Sequence, residues 1–285
     1  MSPTVLPHTH AVRYVTALKE GGSLPGIVEA DDDGTYVVKF RGAGQGPSVL
    51  VAEVVVASLA ARLGLRVPEL VTIDVDEAIG RREPDPEIQD LLLASVGVNL
   101  GVDFLPGSVG YDGQSFAVPV AEAAAVWWLD AFTANIDRTW RNPNLLVWHG
   151  QLWTIDHGAA LVFQHSWPDP AVWARRGYDL SAHVLAPVLD AAPGGRAVAV
   201  AEADARARAV VDAAAIDDAL ALVPDAWLQP RDSLAADPRA RLELAVDAEQ
   251  AEVAAAARAR YRDYLVRRLD GGDAWLGGAA GGGGR

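Results

Sequence analysis

Short runs of apolar and β-branched residues dominate the first third of the chain, and longer stretches with helical spacing follow. Residues 35–41 (TYVVKFR) are β-branched and aromatic and predict a strand, with companions near 11–19, 26–30 and 69–75. Between them an apolar run over 49–63 ends at Gly64, the mark of a helix closed by a glycine. Residues 91–105 (LLLASVGVNLGVDFL) read as the last strand of this region and its exit, with Pro106-Gly107 at the crossing. A helix follows near 119–134, whose Trp127, Trp128 and Phe132 are core residues. Two apolar runs, Leu145–Trp148 and Leu152–Ile155, flank His149-Gly150-Gln151 and predict a hairpin. Further helices are expected over 206–224 and 251–269, and the glycine-rich 271–285 reads as a disordered tail. The pattern gives an α+β chain: a small β-rich part over 1–104, a larger mostly helical part over 105–270, and the tail.

Composition narrows the function classes. With 51% hydrophobic residues and nine Trp, the 285 residues hold ample core material for one large or two smaller domains. No apolar run reaches the roughly 18 residues of a membrane span, and the N-terminus lacks a basic head before an apolar core, so a cytoplasmic protein is the default expectation. The absence of Cys excludes disulfides and thiol catalysis. A formal charge of −14 argues against direct nucleic-acid binding, which requires cationic surface.

The candidate chemistry sits around the hairpin. Asp137, Asn142 and Asn144 precede its first strand, and Asp156-His157-Gly158 follows its second. Phosphoryl transfer needs such a set: one carboxylate to hold or deprotonate an acceptor hydroxyl, and an Asn with a second carboxylate to hold Mg²⁺ on nucleotide phosphates. Asp, Asn and Gly also mark turns for backbone reasons alone. Of the 24 basic residues only Lys19 and Lys39 are lysines, and Lys39 lies in the 35–41 strand. A lysine retained among arginines is either an edge-strand residue facing water or a compact point charge for phosphates. Glu53, the one acid in the 49–63 helix, either complements the helix dipole or pairs with Lys39. The turn bearing Ser23 and Gly26 lacks both GxGxxG and GxxxxGK[ST]. His149, His157 and His165 stand eight apart, a spacing that no zinc template uses.

In order along the chain, these motifs resemble those of the HipA-like kinases, a branch of the protein-kinase and phosphoinositide-kinase superfamily. SLPGIV is similar to that family's S-x-x-G-x-Q glycine loop, VVKF to its phosphate-binding lysine strand, and AEVVVASLAARLGLRVPEL to its N-E-x-x-x-x-x-L-A-x-x-L-G-L-x-V-P helix. NIDRTWRN resembles the catalytic loop N-T-D-x-H-x-x-N, and IDHG stands where the family has the metal-binding D-x-G. The match covers roughly residues 20–165. It implies a two-lobed kinase fold using ATP and Mg²⁺, with Lys39, Glu53, Ser23 and Gly26 serving the nucleotide. Asp137 would be the catalytic base, and Asp156 with Asn142 or Asn144 the metal ligands. The implied acceptor is an unknown hydroxyl, foremost a protein Ser or Thr. Alternatives are a non-catalytic nucleotide-binding scaffold, or nucleotidyl transfer on the same fold. Three departures stand out: Val28-Glu29 follow the glycine loop in place of Gln and Lys, Thr139 replaces the histidine after the catalytic Asp, and the family toxins' long N-terminal domain has no counterpart here.

Overall fold

A computed structural model describes residues 5–18, 24–44, 46–229, 248–272 and 274–276. The chain divides into two compact units: Met1–Val51 with Pro68–Pro106 and Ala221–Arg258, and Ala52–Val67 with Gly107–Leu220 and Ala259–Arg285. Both are discontinuous, unlike the 1–104 and 105–270 boundaries expected from sequence. Helix α1 (Ser48–Arg62) and the last long helix, Ala248–Asp270, each pass from one unit to the other.

The first unit is a closed barrel in the order β1-β2-β3-β5-β4, built from β1 (His8–Ala17), β2 (Gly26–Ala30), β3 (Thr35–Lys39), β4 (Leu70–Val75) and β5 (Gly97–Asp103). Strand alternation sends Val28, Tyr36, Val38, Val71 and Ile73 into its core. The barrel closes through a parallel β1–β4 seam of three Cα pairs, His8↔Thr72, Thr9↔Ile73 and His10↔Asp74. Helices α2 (Glu77–Arg81) and α3 (Pro86–Ala94) lead into β5. β5 supplies the strand expected within 91–105, while α3 corrects that reading over 91–94: Asp85 caps the helix by accepting the N–H of Glu87 at 3.0 Å, and Pro86 sits at its first position. That Asp-Pro start signal outweighs the β-branched character that sets in only at Val96.

In the second unit α1 is apolar on every side and buried on nearly every side, including its one acid, Glu53. Gly64, at φ +77°, ends it. The N–H of Gly64 bonds Ala61 and that of Leu65 bonds Ala60, both at 3.0 Å, so the last carbonyls are satisfied in a Schellman arrangement. The second unit holds a small antiparallel sheet of β6 (Val109–Gly110), β7 (Leu145–Trp148) and β8 (Gln151–Thr154), and the helices α4 (Val120–Thr133), α5 (Pro170–Ala174), α6 (Ala186–Asp190), α7 (Gly195–Arg208) and α8 (Ala213–Ala221), with the part of α9 (Ala248–Asp270) that follows Arg258. The single helix expected over 206–224 is two. Asp212 interrupts it by accepting the N–H of Ala215 at 2.8 Å, which caps a fresh start.

The expected disorder from residue 271 onward is corrected at its beginning. Trp275 is fully buried against Trp128 and Phe132, and its indole N–H donates to the Arg268 carbonyl at 2.6 Å. One large indole outweighs the surrounding glycines because its burial meets the entropy cost of ordering them. Residues 277–285 lie outside the described chain. No described helix is long and apolar enough to cross a membrane.

Candidate active site

The site grows from the C-terminal end of α4. That helix stops at Ala134, in the left-handed region at φ +58°, and Asn135 turns the chain back. Asn135 donates to Asp130 at 3.0 Å and accepts the N–H of Asp137 at 3.2 Å, which fixes the first bend of the loop 135–144. The carboxylate of Asp137 then receives two amides on one oxygen: Asn142 at 2.7 Å and Asn144 at 3.4 Å. Asn144 also donates to the Asp156 carbonyl at 3.4 Å, and its own carbonyl accepts the N–H of Ile155 at 3.1 Å. The loops on either side of the hairpin are thus tied together. Asp137 is half-buried and Asn144 buried, whereas Asn142 and Asp156 are exposed.

The hairpin holds the two loops in register. Leu145 pairs with Thr154 and Trp148 with Gln151, so the turn is the two residues His149 and Gly150, at φ +49° and +69°. Positive φ at both positions is the geometry that suits a two-residue hairpin. Asp156 also sits at positive φ, +54°, a conformation that Asp tolerates better than most residues. The chain then reverses into His157, whose N–H donates to the Glu53 carboxylate at 2.9 Å. Glu53, 3% exposed, therefore ties α1 to the loop carrying Asp156. Its burial on an apolar helix has a partner, as a buried carboxylate requires.

Beneath this face lies a buried ionic network that the sequence reading missed. Arg138, 1% exposed, places Nε 2.6 Å from Asp130 Oδ2, and its other nitrogens reach the Asn144 carbonyl, the Ile155 carbonyl at 3.3 Å and His157 Nδ1 at 3.2 Å. His183 Nε2 lies 2.9 Å from the same Asp130 oxygen, while its Nδ1 accepts the N–H of Leu185 at 3.1 Å. An accepting Nδ1 places the proton on Nε2, so a neutral His183 donates to Asp130. Burial alone would raise the Asp130 pKa, but the Arg138 charge and the His183 hydrogen bond outweigh it and bring it down to about 2. Burial lowers the His183 pKa, and the neighbouring carboxylate offsets only part of that.

In the first unit, Lys39 ends β3 opposite Leu100, on the half-buried face of a strand whose Tyr36 and Val38 face the core. Gly26 opens the strand expected over 26–30: it is the first residue of β2, paired with Ala17 and Val38. A Cβ there would stand 2.5 Å from the Tyr14 ring, so close packing requires glycine at this position. Ser23 lies outside the described residues. Within the second unit the structure brings together Asp137, Asn142, Asn144 and Asp156, with Glu53 one residue removed. The donor set suits a hard cation, since Asp156 and the asparagine side-chain carbonyls offer the oxygen ligands that Mg²⁺ takes.

Comparison with known proteins adds three findings. A family model described as HipA-like kinase matches residues 12–250. No curated protein matches the chain. Among solved structures, the crystal structure of a Helicobacter pylori proinflammatory kinase, CtkA, aligns at 15% identity over 90% of this chain and 97% of that one, with a TM-score of 0.49.

Proposed function

The chain belongs to the HipA-like kinase family, and from that premise we propose that it is an ATP- and Mg²⁺-dependent phosphotransferase acting on a hydroxyl acceptor, foremost a Ser or Thr of a protein. The observation that carries this reading is the reachable carboxylate of Asp137, held by the amides of Asn142 and Asn144, with Asp156 on the adjoining loop. Asp137 orients the acceptor hydroxyl and takes its proton as the oxygen bonds to the γ-phosphorus of ATP and the bond from that phosphorus to the bridging oxygen breaks, releasing ADP. Asn142 and Asp156 hold the cation, which supplies charge neutralisation on the transferred phosphoryl group when bound. Asn144 acts as a brace, since its buried amide already spans both loops. Lys39 provides a point charge for nucleotide phosphates. Ile136, 53% exposed, and Trp140, 67% exposed with Arg141 stacked at 4.7 Å, flank Asp137 with apolar surface that suits a peptide better than a small polar acceptor.

The test is label transfer from ATP carrying radiolabel on either the α- or the γ-phosphate, with casein-type protein acceptors and the chain itself. Transfer of γ-label alone, abolished by chelation of Mg²⁺, is expected. Asp156→Asn should weaken both Mg²⁺-dependent nucleotide binding and turnover. Transfer of α-label would replace phosphoryl with nucleotidyl chemistry. Nucleotide binding without any transfer would leave a scaffold.

A further inference from the structure

A second group of metal-ligating side chains lies in the first unit, on the seam that closes the barrel. His8 and His10 are two apart on β1, so strand alternation sends both to the same face. Asp74 of β4 stands in register with His10. His8 Nε2 lies 3.5 Å and His10 Nδ1 3.9 Å from Asp74 Oδ2, and one ligand atom from each residue falls within 4.8 Å of the others.

Hydrogen bonding bears on which His8 nitrogen is available. The Thr72 hydroxyl lies 3.2 Å from the Pro7 carbonyl and 3.0 Å from His8 Nδ1. With its proton on that carbonyl, the hydroxyl accepts from Nδ1, and Nε2 is then the nitrogen whose lone pair faces Asp74 and can share a cation with it. A histidine whose far nitrogen is fixed by a hydrogen bond is the usual arrangement of a metal ligand. Tetrahedral zinc at about 2.0–2.2 Å from each ligand would need separations of roughly 3.3 Å, so small rotations of exposed side chains suffice.

We propose that His8, His10 and Asp74 form a zinc site that pins β1 to β4 across the barrel seam, with Thr72 setting the tautomer of His8. Two imidazoles and a carboxylate form a donor set that suits zinc and leaves a fourth position for water or a small anion. The seam is where such a pin matters most, because β1 and β4 share three Cα pairs whereas β4 and β5 share six. The rival is a plain imidazolium–carboxylate ion pair, which needs no metal.

The experiment titrates the full chain with zinc sulfate against a chromogenic chelator and records melting with and without zinc. One ion per chain is expected, with affinity lost in His8→Ala, in His10→Ala and in Asp74→Asn. Thr72→Val should weaken affinity by roughly tenfold, the lower end for a supporting residue of a metal ligand. Saturating zinc should raise the melting midpoint of the parent chain by several degrees and leave that of His10→Ala unmoved. The proposal is overturned if zinc fails to bind, or if the parent and the two histidine variants bind it equally. Melting midpoints taken without zinc show whether each variant remains folded, which the exposure of His8 and His10 favours and which matters most for Thr72→Val at a buried position.

Discussion

In and beneath the loops around the hairpin, two sets of polar groups meet water very differently. Asp130, Arg138 and His183 are sealed off almost completely, and their polar atoms are engaged by one another, by the Asn135 and His157 side chains and by main chain. Asp137, the neighbour of Arg138, stays half-buried, and Asn142 and Asp156 are exposed. The difference separates two duties. A buried ion pair adds little net stability over an apolar replacement, yet it is costly to break because the remaining charge stays unpaired. It therefore fixes one backbone path. The carboxylate of Asp137, held by the amides of Asn142 and Asn144, lies at an accessible position that a cation or a hydroxyl can reach. Arg138 shows the link, since its donors reach the Asn144 and Ile155 carbonyls and so hold the loops on both sides of the hairpin from below.

The strongest way to break this comparison is Arg138→Ala. Asp130 would keep a buried charge without its cation, and the Asn144 and Ile155 carbonyls would lose a donor. A loss of about 3–5 kcal/mol is expected by chemical denaturation, with transfer activity falling along with the fold. A stable, active Arg138→Ala protein would show that the network is incidental.

Asp137→Asn alters the next residue along and should do the reverse. The amide is isosteric and only half-buried, so the melting midpoint should hold while turnover falls by roughly 10²–10⁴-fold, or about 3–5 kcal/mol of barrier. Nucleotide binding should remain near that of the parent chain, measured by equilibrium dialysis. Full transfer activity in this variant would remove Asp137 from the chemistry.

How far each set was legible follows from the same physics. The grouping of Asp137, Asn142, Asn144 and Asp156 was readable because these residues are close in sequence and joined by a hairpin: Asn142 and Asn144 stand five and seven residues after Asp137, and Asp156 stands two residues past the end of β8. Glu53 was readable as a lone acid on an apolar helix, although its bond to the His157 N–H was not. The supporting network was not found, because His183 reaches Asp130 across 53 positions and no local pattern marks it. One signal was present: Asp130 interrupts the apolar run Trp127-Trp128-Leu129, and a buried acid demands a partner. In the barrel, the strand periods placed β2 and β3 well. The Asp85-Pro86 helix start was passed over in favour of the apolar run behind it. Attention to histidines eight apart missed His8 and His10, whose spacing of two means a shared face only once β1 is known to begin at His8. Trp275 was hidden by the composition of the glycines around it.

The smallest expected effect sharpens the comparison most finely, because it treats the buried set as a titrating device. His183 is neutral in the folded chain, its pKa lowered first by burial and further by the positive charges of Arg138 and Arg196, while Asp130 pulls the other way. An unfolded histidine titrates near 6.5. As pH falls below that value the unfolded chain takes up a proton that folded His183 resists, so stability declines by at most about 1.4 kcal/mol per pH unit until the folded pKa is passed. Asp130 acts in a separate window. Its folded pKa of about 2 lies below the unfolded value, so its contribution is complete above about pH 4 and is lost as pH falls toward 2. Gln in place of His183 keeps a donor for Asp130 and an acceptor for the Leu185 N–H but cannot titrate. His183→Gln should therefore lie close to the parent at pH 7, flatten the slope that sets in as pH falls below about 6.5, and leave the decline below pH 4 in place. Urea denaturation at half-unit pH steps reads this directly. Parallel curves for parent and variant through pH 5 would mean that His183 takes up its proton equally in both states, and that the network beneath the loops is less sealed than its burial implies.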